Sequence, residues 1–221
     1  MMNLYLKETE FLNYSDPAIQ QAVRQHSSPD RSDKENAVSL YYYARDAFRY
    51  DPYLTSLDRT NFHASEILKL GRGYCVAKAV LYAAFLRGAG IPSRLGFADV
   101  KNHMTSTRLA RLMKTDIFYY HGYTEVFLNG KWLKATPAFN VELCERAGTF
   151  PLEFDGTEDS VFHPFSKDGS RHMEYVRDHG NFADLPYDLI IARFDEFYPG
   201  FREKLAQNAG HDFHKEVSPV H

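Results

Sequence analysis

Cys75 is the residue of this 221-residue chain best suited to nucleophilic catalysis. It follows two closely spaced glycines, Gly71 and Gly73, and begins a nearly all-apolar stretch that predicts a buried helix. A thiol attacks as the thiolate, and the positive end of a helix lowers its pKa. The glycines would let a substrate carbonyl approach the amide groups at the helix start. This pattern suits acyl transfer, but a free cysteine is as often simply a small buried hydrophobe.

His121 is the candidate base, because it opens a strand-like segment that runs into the hairpin signal Asn129-Gly130. With a two-residue turn, the numbers of facing residues sum to 259, which places His121 opposite Ala138. Thr136 and Asn140 would then lie diagonally across from His121 on the same face of the sheet. Either side chain could orient the imidazole towards the cysteine.

The elements that must position these residues can be read from local patterns. They are a helix that begins with the capping box Ser32 to Glu35 and ends near Tyr50, an apolar turn at 67–70, the buried helix from Cys75, a strand at 94–100, a hairpin of 117–128 with 131–135, and a helix over 187–197. Residues 105–114 fit either a short helix or a flap. Beyond Asn140 the chain reads as loop-rich until the last of these helices begins.

Four blocks of the sequence carry a resemblance to a known family. They are Gly73-Tyr74-Cys75; Leu86-Arg87-Gly88-Ala89-Gly90-Ile91-Pro92-Ser93-Arg94; His121-Gly122-Tyr123-Thr124-Glu125-Val126-Phe127 with Trp132; and Ala135-Thr136-Pro137. In order and spacing they resemble the transglutaminase-like core, which is shared by transglutaminases, peptide N-glycanases and bacterial cysteine proteases. The resemblance implies an α+β, papain-like cysteine proteinase or transglutaminase-core fold, in which a buried cysteine-bearing helix packs on an antiparallel sheet.

We expect one domain over residues 1–221. Its transglutaminase-like core would span 35–140, and 141–221 would form a loop-rich C-terminal extension with a terminal helix. We also expect that extension to cover part of the cleft and to set specificity, as loops beside a scaffolded site commonly do.

One residue departs from the family's pattern. The third catalytic residue of the family is an aspartate, and the matching position here is Thr136. A hydroxyl can accept the imidazole N–H but offers no negative charge to stabilise an imidazolium. Asn140 could instead play the neutral amide role that papain-like enzymes assign to asparagine. The departure could also mark an enzyme that has lost its activity.

The leading functional interpretation is a cysteine protease or amidase that hydrolyses a peptide or protein substrate through a thioester, with Cys75 as nucleophile and His121 as base. Nothing in the sequence marks a site for an acceptor amine. The alternatives are a catalytically silent domain that binds peptides or partners, and a protein-glutamine or arylamine-type acyltransferase.

Composition excludes several other classes. The net charge of −3 and pI near 6.4 give no broad bias towards nucleic acid or an anionic membrane surface. The first residues lack an export signal, no window reaches membrane-spanning length, and two cysteines are too few for a disulfide scaffold. We therefore expect a cytoplasmic protein. Without a His-Glu-x-x-His or paired-cysteine pattern, we expect no metal and no cofactor.

Overall fold

Helices and strands are interspersed along the chain in the computed structural model, which describes residues 2–53, 57–103, 105–162, 164–201, 203–204 and 212–217. The helices are α1 (Pro17–His26), α2 (Asp33–Asp46), α3 (Ala64–Leu70), α4 (Cys75–Gly88), α5 (Thr107–Met113), α6 (Val141–Ala147), α7 (Tyr187–Phe197) and α8 (Phe213–Glu216). The strands are β1 (Arg49–Tyr50), β2 (Arg72–Gly73), β3 (Ser93–Asn102), β4 (Ile117–Leu128), β5 (Lys131–Ala135) and β6 (Met173–Phe182). No helix of the described residues is long and apolar enough to cross a bilayer.

Helix α2 begins as the sequence predicts but ends earlier. Ser32 and Glu35 form the capping box, each side chain bonding the other's backbone N–H. The prediction of an end near Tyr50 is wrong, because the chain leaves the helix after Asp46 and enters β1. That strand pairs in parallel with β2, so Tyr50 lies beside Gly73. The early end brings the segment before Cys75 and the end of α2 together.

Helix α4 is the centre of the core. Every residue from Cys75 to Arg87 is buried, including Lys78. The Lys78 ammonium group donates to the carbonyls of Arg45 (2.7 Å) and Phe48 (2.6 Å). Arg45 is in the last turn of α2 and Phe48 lies just beyond its end, so one buried side chain satisfies both carbonyls and ties the end of α2 to α4.

The main sheet is antiparallel throughout and has the order β5-β4-β3-β6. The predicted hairpin is confirmed, with both strands at the expected bounds. Its register from Leu128↔Lys131 to Thr124↔Ala135 is the one predicted from a two-residue turn. The ladder stops at Ala135, so Thr136, Ala138 and Asn140 lie beyond the paired strand.

Helix α4 packs on this sheet, which confirms the α+β arrangement of a buried cysteine-bearing helix on antiparallel strands. The ambiguous segment 105–114 contains α5, and the helix at 187–197 is present as α7. The prediction of a loop-rich segment between 140 and 187 missed two elements. These are α6 and β6, and β6 forms one edge of the sheet beside β3.

Candidate active site

Cys75 is the first residue of α4, and the backbone before it turns sharply. Gly71 ends α3 with a φ of +66°, a left-handed conformation that glycine adopts readily. A Cβ added to Gly73 would lie 2.8 Å from the Cβ of Ala77, so this position accepts only glycine without a shift. No side chain caps the helix at Tyr74. The N–H groups of the first turn have no partner within the helix and can face a substrate oxygen.

The base is brought to the cysteine by a close approach of β4 to the start of α4. A Cβ added to Gly122 would lie 2.9 Å from the Cα and 3.3 Å from the backbone nitrogen of Val76, the residue after Cys75. The Thr124 hydroxyl donates to the Ala79 carbonyl (2.9 Å) and fixes the same strand against the same helix. His121 is the residue before Gly122, so the contact brings the backbone of His121 close to the start of α4.

Cys75 and His121 line one cavity of about 40 Å³. Its walls are mainly aromatic and include Tyr50, Tyr74, Tyr119, Phe194, Tyr198 and Phe201. No Asp, Glu, Lys or Arg is among the described residues that line it. Cys75 is only 6% exposed and His121 only 2% exposed. The two groups therefore face the same apolar space and are largely shielded from water.

Burial sets the protonation of both groups. It raises the pKa of the Cys75 thiol to about 11, against the opposing effect of the backbone N–H groups of Gly122, Val76 and Cys75 itself. Burial also lowers the pKa of His121 to about 3. At neutral pH the resting site holds a thiol and a neutral imidazole, and a neutral imidazole is the form that can accept a proton.

The two candidates for orienting His121 differ in their hydrogen bonds. Thr136 is 1% exposed, and its hydroxyl faces the phenol of Tyr175 without a well-formed hydrogen bond. The Nε2 atom of His121 is also buried without a partner in this part of the chain. Asn140 stands at the start of α6, and its Oδ1 accepts the backbone N–H of Tyr50 (3.2 Å). Neither candidate makes a hydrogen bond to the imidazole at rest.

Two further residues near the site were not predicted from the sequence. The ring of Phe162 contacts the His121 ring edge-on, with centroids 5.0 Å apart. Asp99 is buried in the middle of β3 and accepts the backbone N–H of Tyr120, the neighbour of His121 (3.1 Å). An acidic residue within an apolar strand is a signal that could have singled out Asp99. Nothing in the local sequence singles out Phe162.

The described residues contain no group of three or more His, Cys, Asp or Glu side chains arranged to hold a metal ion. Both cysteines, Cys75 and Cys144, are free and buried.

Comparison with known proteins gives a family. The sequence model of the transglutaminase-like superfamily matches residues 19–137, just over half of the chain. A Cytophaga hutchinsonii structure, assigned provisionally as a cysteine protease, has a TM-score of 0.48 and 12% identity, covering 82% of this chain and 54% of that one. A Parabacteroides distasonis structure, assigned provisionally as a protease, has a TM-score of 0.39 and 15% identity, covering 61% of this chain and 25% of that one. This chain thus spans about half of the first structure's length and a quarter of the second's.

No curated protein sequence matches it. By its match to the superfamily model, the chain belongs to the transglutaminase-like superfamily.

Proposed function

We propose that the protein is a cysteine-dependent acyl-transfer enzyme that hydrolyses a peptide or amide bond through a thioester on Cys75. The observation that carries this proposal is the shared cavity, in which a thiol at the start of a buried helix and a neutral imidazole are the chemically reactive groups. A cysteine with a base beside it is the arrangement used for nucleophilic catalysis.

The reaction follows from these groups. The Cys75 sulfur attacks the substrate carbonyl as His121 accepts the thiol proton. Backbone N–H groups at the start of α4 stabilise the oxyanion of the tetrahedral intermediate. The C–N bond then breaks, His121 returns the proton to the departing amine, and an acyl thioester remains on Cys75. Water adds to the thioester with His121 as base, which releases the carboxylic acid and restores the thiol.

We propose Thr136 as the residue that orients His121 during these steps. Its buried hydroxyl has only the Tyr175 phenol near it and makes no well-formed hydrogen bond, and the buried Nε2 atom of His121 has no partner among the described residues. Leaving such atoms unpaired costs about 1–3 kcal/mol each, so a bond formed between them in the reacting state would be favourable. The oxygen of Asn140, by contrast, already accepts the N–H of Tyr50.

The cavity also bears on the substrate. Its apolar, uncharged walls favour a substrate whose carbonyl carries an apolar group rather than a charged one. A volume of about 40 Å³ holds only a few water molecules at roughly 10–15 Å³ each. Productive binding therefore requires side chains that line the cavity, such as Phe194 of α7 or Leu109 of α5, to move aside.

The test compares wild type with Cys75→Ala on a proteome-derived peptide library. Wild type should cleave a subset of peptides in an iodoacetamide-sensitive way, and mass spectrometry of quenched reactions should find an acyl adduct on Cys75. Cys75→Ala should fold normally and cleave nothing. Cys144→Ala is the matched control, because Cys144 is a second buried cysteine outside the cavity, and it should keep wild-type activity.

The same experiment separates the main competing function. The hydroxyl of Thr136, in place of the family's carboxylate, and the neutral resting thiol favour a catalytically silent domain that binds peptides. Peptides that are retained by wild type and by Cys75→Ala alike, with no cleavage and no acyl adduct, would establish binding alone and reject the enzyme.

A further inference from the structure

Asp99 lies where the central strand of the sheet meets irregularities on both of its neighbours. On one side, Ala98 pairs with His121 and Val100 pairs with Phe118, so Asp99 faces two residues of β4, Tyr119 and Tyr120. This is a β-bulge, a feature that bends a strand and re-aims side chains and is common beside active sites.

The other side of β3 has a matching irregularity. Gly96 pairs with Asn181 and Ala98 pairs with Asp178, so His179 and Gly180 of β6 face a single residue of β3. Gly180 has a φ of +81°, which accommodates the extra residue. Both edges of β3 are thus irregular at the same level of the sheet.

The Asp99 carboxylate joins the two bulges. Its Oδ1 accepts the backbone N–H of Tyr120 (3.1 Å) from β4 and the Nε2–H of His179 (2.7 Å) from β6. The His179 ring also stacks on the Tyr120 ring, with centroids 4.0 Å apart and planes 10° apart. Asp99 is 6% exposed, so this bridge is shielded from water. A charge-assisted bond to a backbone N–H is stronger than a neutral one.

The bridge holds a backbone conformation that is otherwise unfavourable. Tyr120 has a φ of +54°, a left-handed conformation that costs a bulky residue about 1–3 kcal/mol. His121 is the next residue, and the direction of its side chain depends on that conformation. If Tyr120 relaxed to an ordinary extended conformation, the bulge would shift and the imidazole would turn relative to Cys75.

We propose that Asp99, with His179, is a positioning residue that sets the direction of the His121 imidazole by fixing the bulge at Tyr120. The proposal rests on the proposed function, because it assumes that His121 is the base. Asp99 acts through the main chain and the Tyr120 ring. It does not bond the imidazole through Nε2, which has no hydrogen-bond partner among the described residues.

The test measures the rate of iodoacetamide labelling of Cys75 at pH 7, in a Cys144→Ser background, together with the NMR chemical shift of the His121 Cε1–H group. Asp99→Ala should slow labelling roughly tenfold or more, since a misplacement of about 1 Å can cost two orders of magnitude. It should also move the His121 resonance. Asp99→Asn should restore both readouts, because an amide oxygen can accept the same two bonds.

The matched control is Glu125→Ala. Glu125 is another buried carboxylate between β3 and β4, paired with Arg94 at 2.5 Å, but it lies away from the bulge. Its loss should lower stability and leave labelling and the His121 resonance unchanged. His179→Phe, which keeps a ring over Tyr120 and removes the bond to Asp99, should fall between wild type and Asp99→Ala, and it serves if Asp99→Ala does not fold.

His121→Ala separates the two claims. If His121→Ala is labelled at the wild-type rate, the proposed function fails. The positioning role can still be tested, because the His121 resonance in the Asp99 and His179 variants reports it independently of labelling. If His121→Ala slows labelling while Asp99→Ala and His179→Phe change neither readout, the positioning role is rejected and the function stands. If Glu125→Ala changed both readouts as much as Asp99→Ala, the effect of Asp99 would be one of general stability, and the positioning role would be rejected.

Discussion

Cys75 and His121 meet in a cavity that keeps both side chains uncharged at neutral pH. An ion pair of thiolate and imidazolium is therefore not the resting form. A neutral imidazole is nonetheless a competent proton acceptor, and the thiol proton can move as the sulfur attacks. The cost of keeping the imidazole neutral below its usual pKa should be visible in the stability of the protein.

Acid should destabilise the protein through His121. Burial lowers its pKa to about 3 in the folded protein, from an ordinary value of 6.5, so between these pH values the unfolded chain binds a proton that the folded chain does not. Stability should therefore rise with pH from about 3 to 6.5 and then level off. Urea unfolding of wild type and His121→Gln at pH 5, 6 and 7 should show a shallower dependence in the variant. His103→Gln, which removes a histidine outside the cavity, is the comparison variant at the same three pH values. A wild-type slope in His121→Gln would contradict this account of burial.

Thr136→Asp tests whether residue 136 orients the base. A carboxylate there would stabilise the imidazolium formed in the reaction, and we expect turnover roughly tenfold or more above that of Thr136→Ala. Asn140→Asp is the parallel variant for the other candidate. Steady-state turnover of a cleaved peptide is the measurement. Higher turnover in Asn140→Asp alone would show that Asn140 orients the base. If turnover rose in neither variant, neither residue would have this role.

At the scale of elements, the site depends on the contact between α4 and β4. Helix α4 could be predicted because its apolar composition and flanking glycines are local signals, and the hairpin because Asn129-Gly130 dictates its turn. The strand β6 could not, because most of its residues are exposed and show no alternation. It becomes a strand by pairing with β3. The bulge at Tyr120 likewise depends on partners from other parts of the chain, Asp99 above all.

Gly122→Ala should disrupt the contact between α4 and β4. The added Cβ would lie 2.9 Å from a backbone atom of Val76, so the helix or the strand must shift. We expect a loss of about 1–3 kcal/mol of stability and a marked loss of turnover. Gly88→Ala is the control at the other end of α4, because its added Cβ meets only side-chain atoms, the nearest at 3.0 Å on Val23. Denaturant unfolding and turnover report the two effects. Equal tolerance of both substitutions would contradict the close approach.

At the scale of the whole molecule, the chain after the hairpin helps to close the site. Phe194, Tyr198 and Phe201 line the cavity with Cys75. The Tyr198 hydroxyl accepts the N–H of Tyr119 (2.6 Å) and donates to the carbonyl of Ile117 (3.0 Å). The end of α7 is thereby fixed to the start of β4. Local sequence patterns could place α7 but not its docking, which depends on a side chain that bonds a distant strand.

Tyr198→Phe should weaken the attachment of α7 to β4, because it removes the hydroxyl and keeps the ring. Losing two hydrogen bonds weakens the docked state by about 1–2 kcal/mol, so labelling of Cys75 should become roughly 5- to 30-fold faster. The matched control is Tyr187→Phe at the other end of α7, where the hydroxyl donates to the carbonyl of Leu57 (2.5 Å). Labelling rates at fixed pH compare the two variants. An unchanged rate in Tyr198→Phe would show that this hydroxyl does not control access to the thiol.

In the proposed mechanism His121 takes the proton of Cys75, and the pH profile of Cys75 labelling is the sharpest test of that step. In a Cys144→Ser background, wild type should show a labelling rate between pH 6 and 8 well above that of His121→Ala. The variant should label only as the thiol itself ionises, with its rate still rising towards the pKa of about 11. Superimposable profiles for the two proteins would contradict the account.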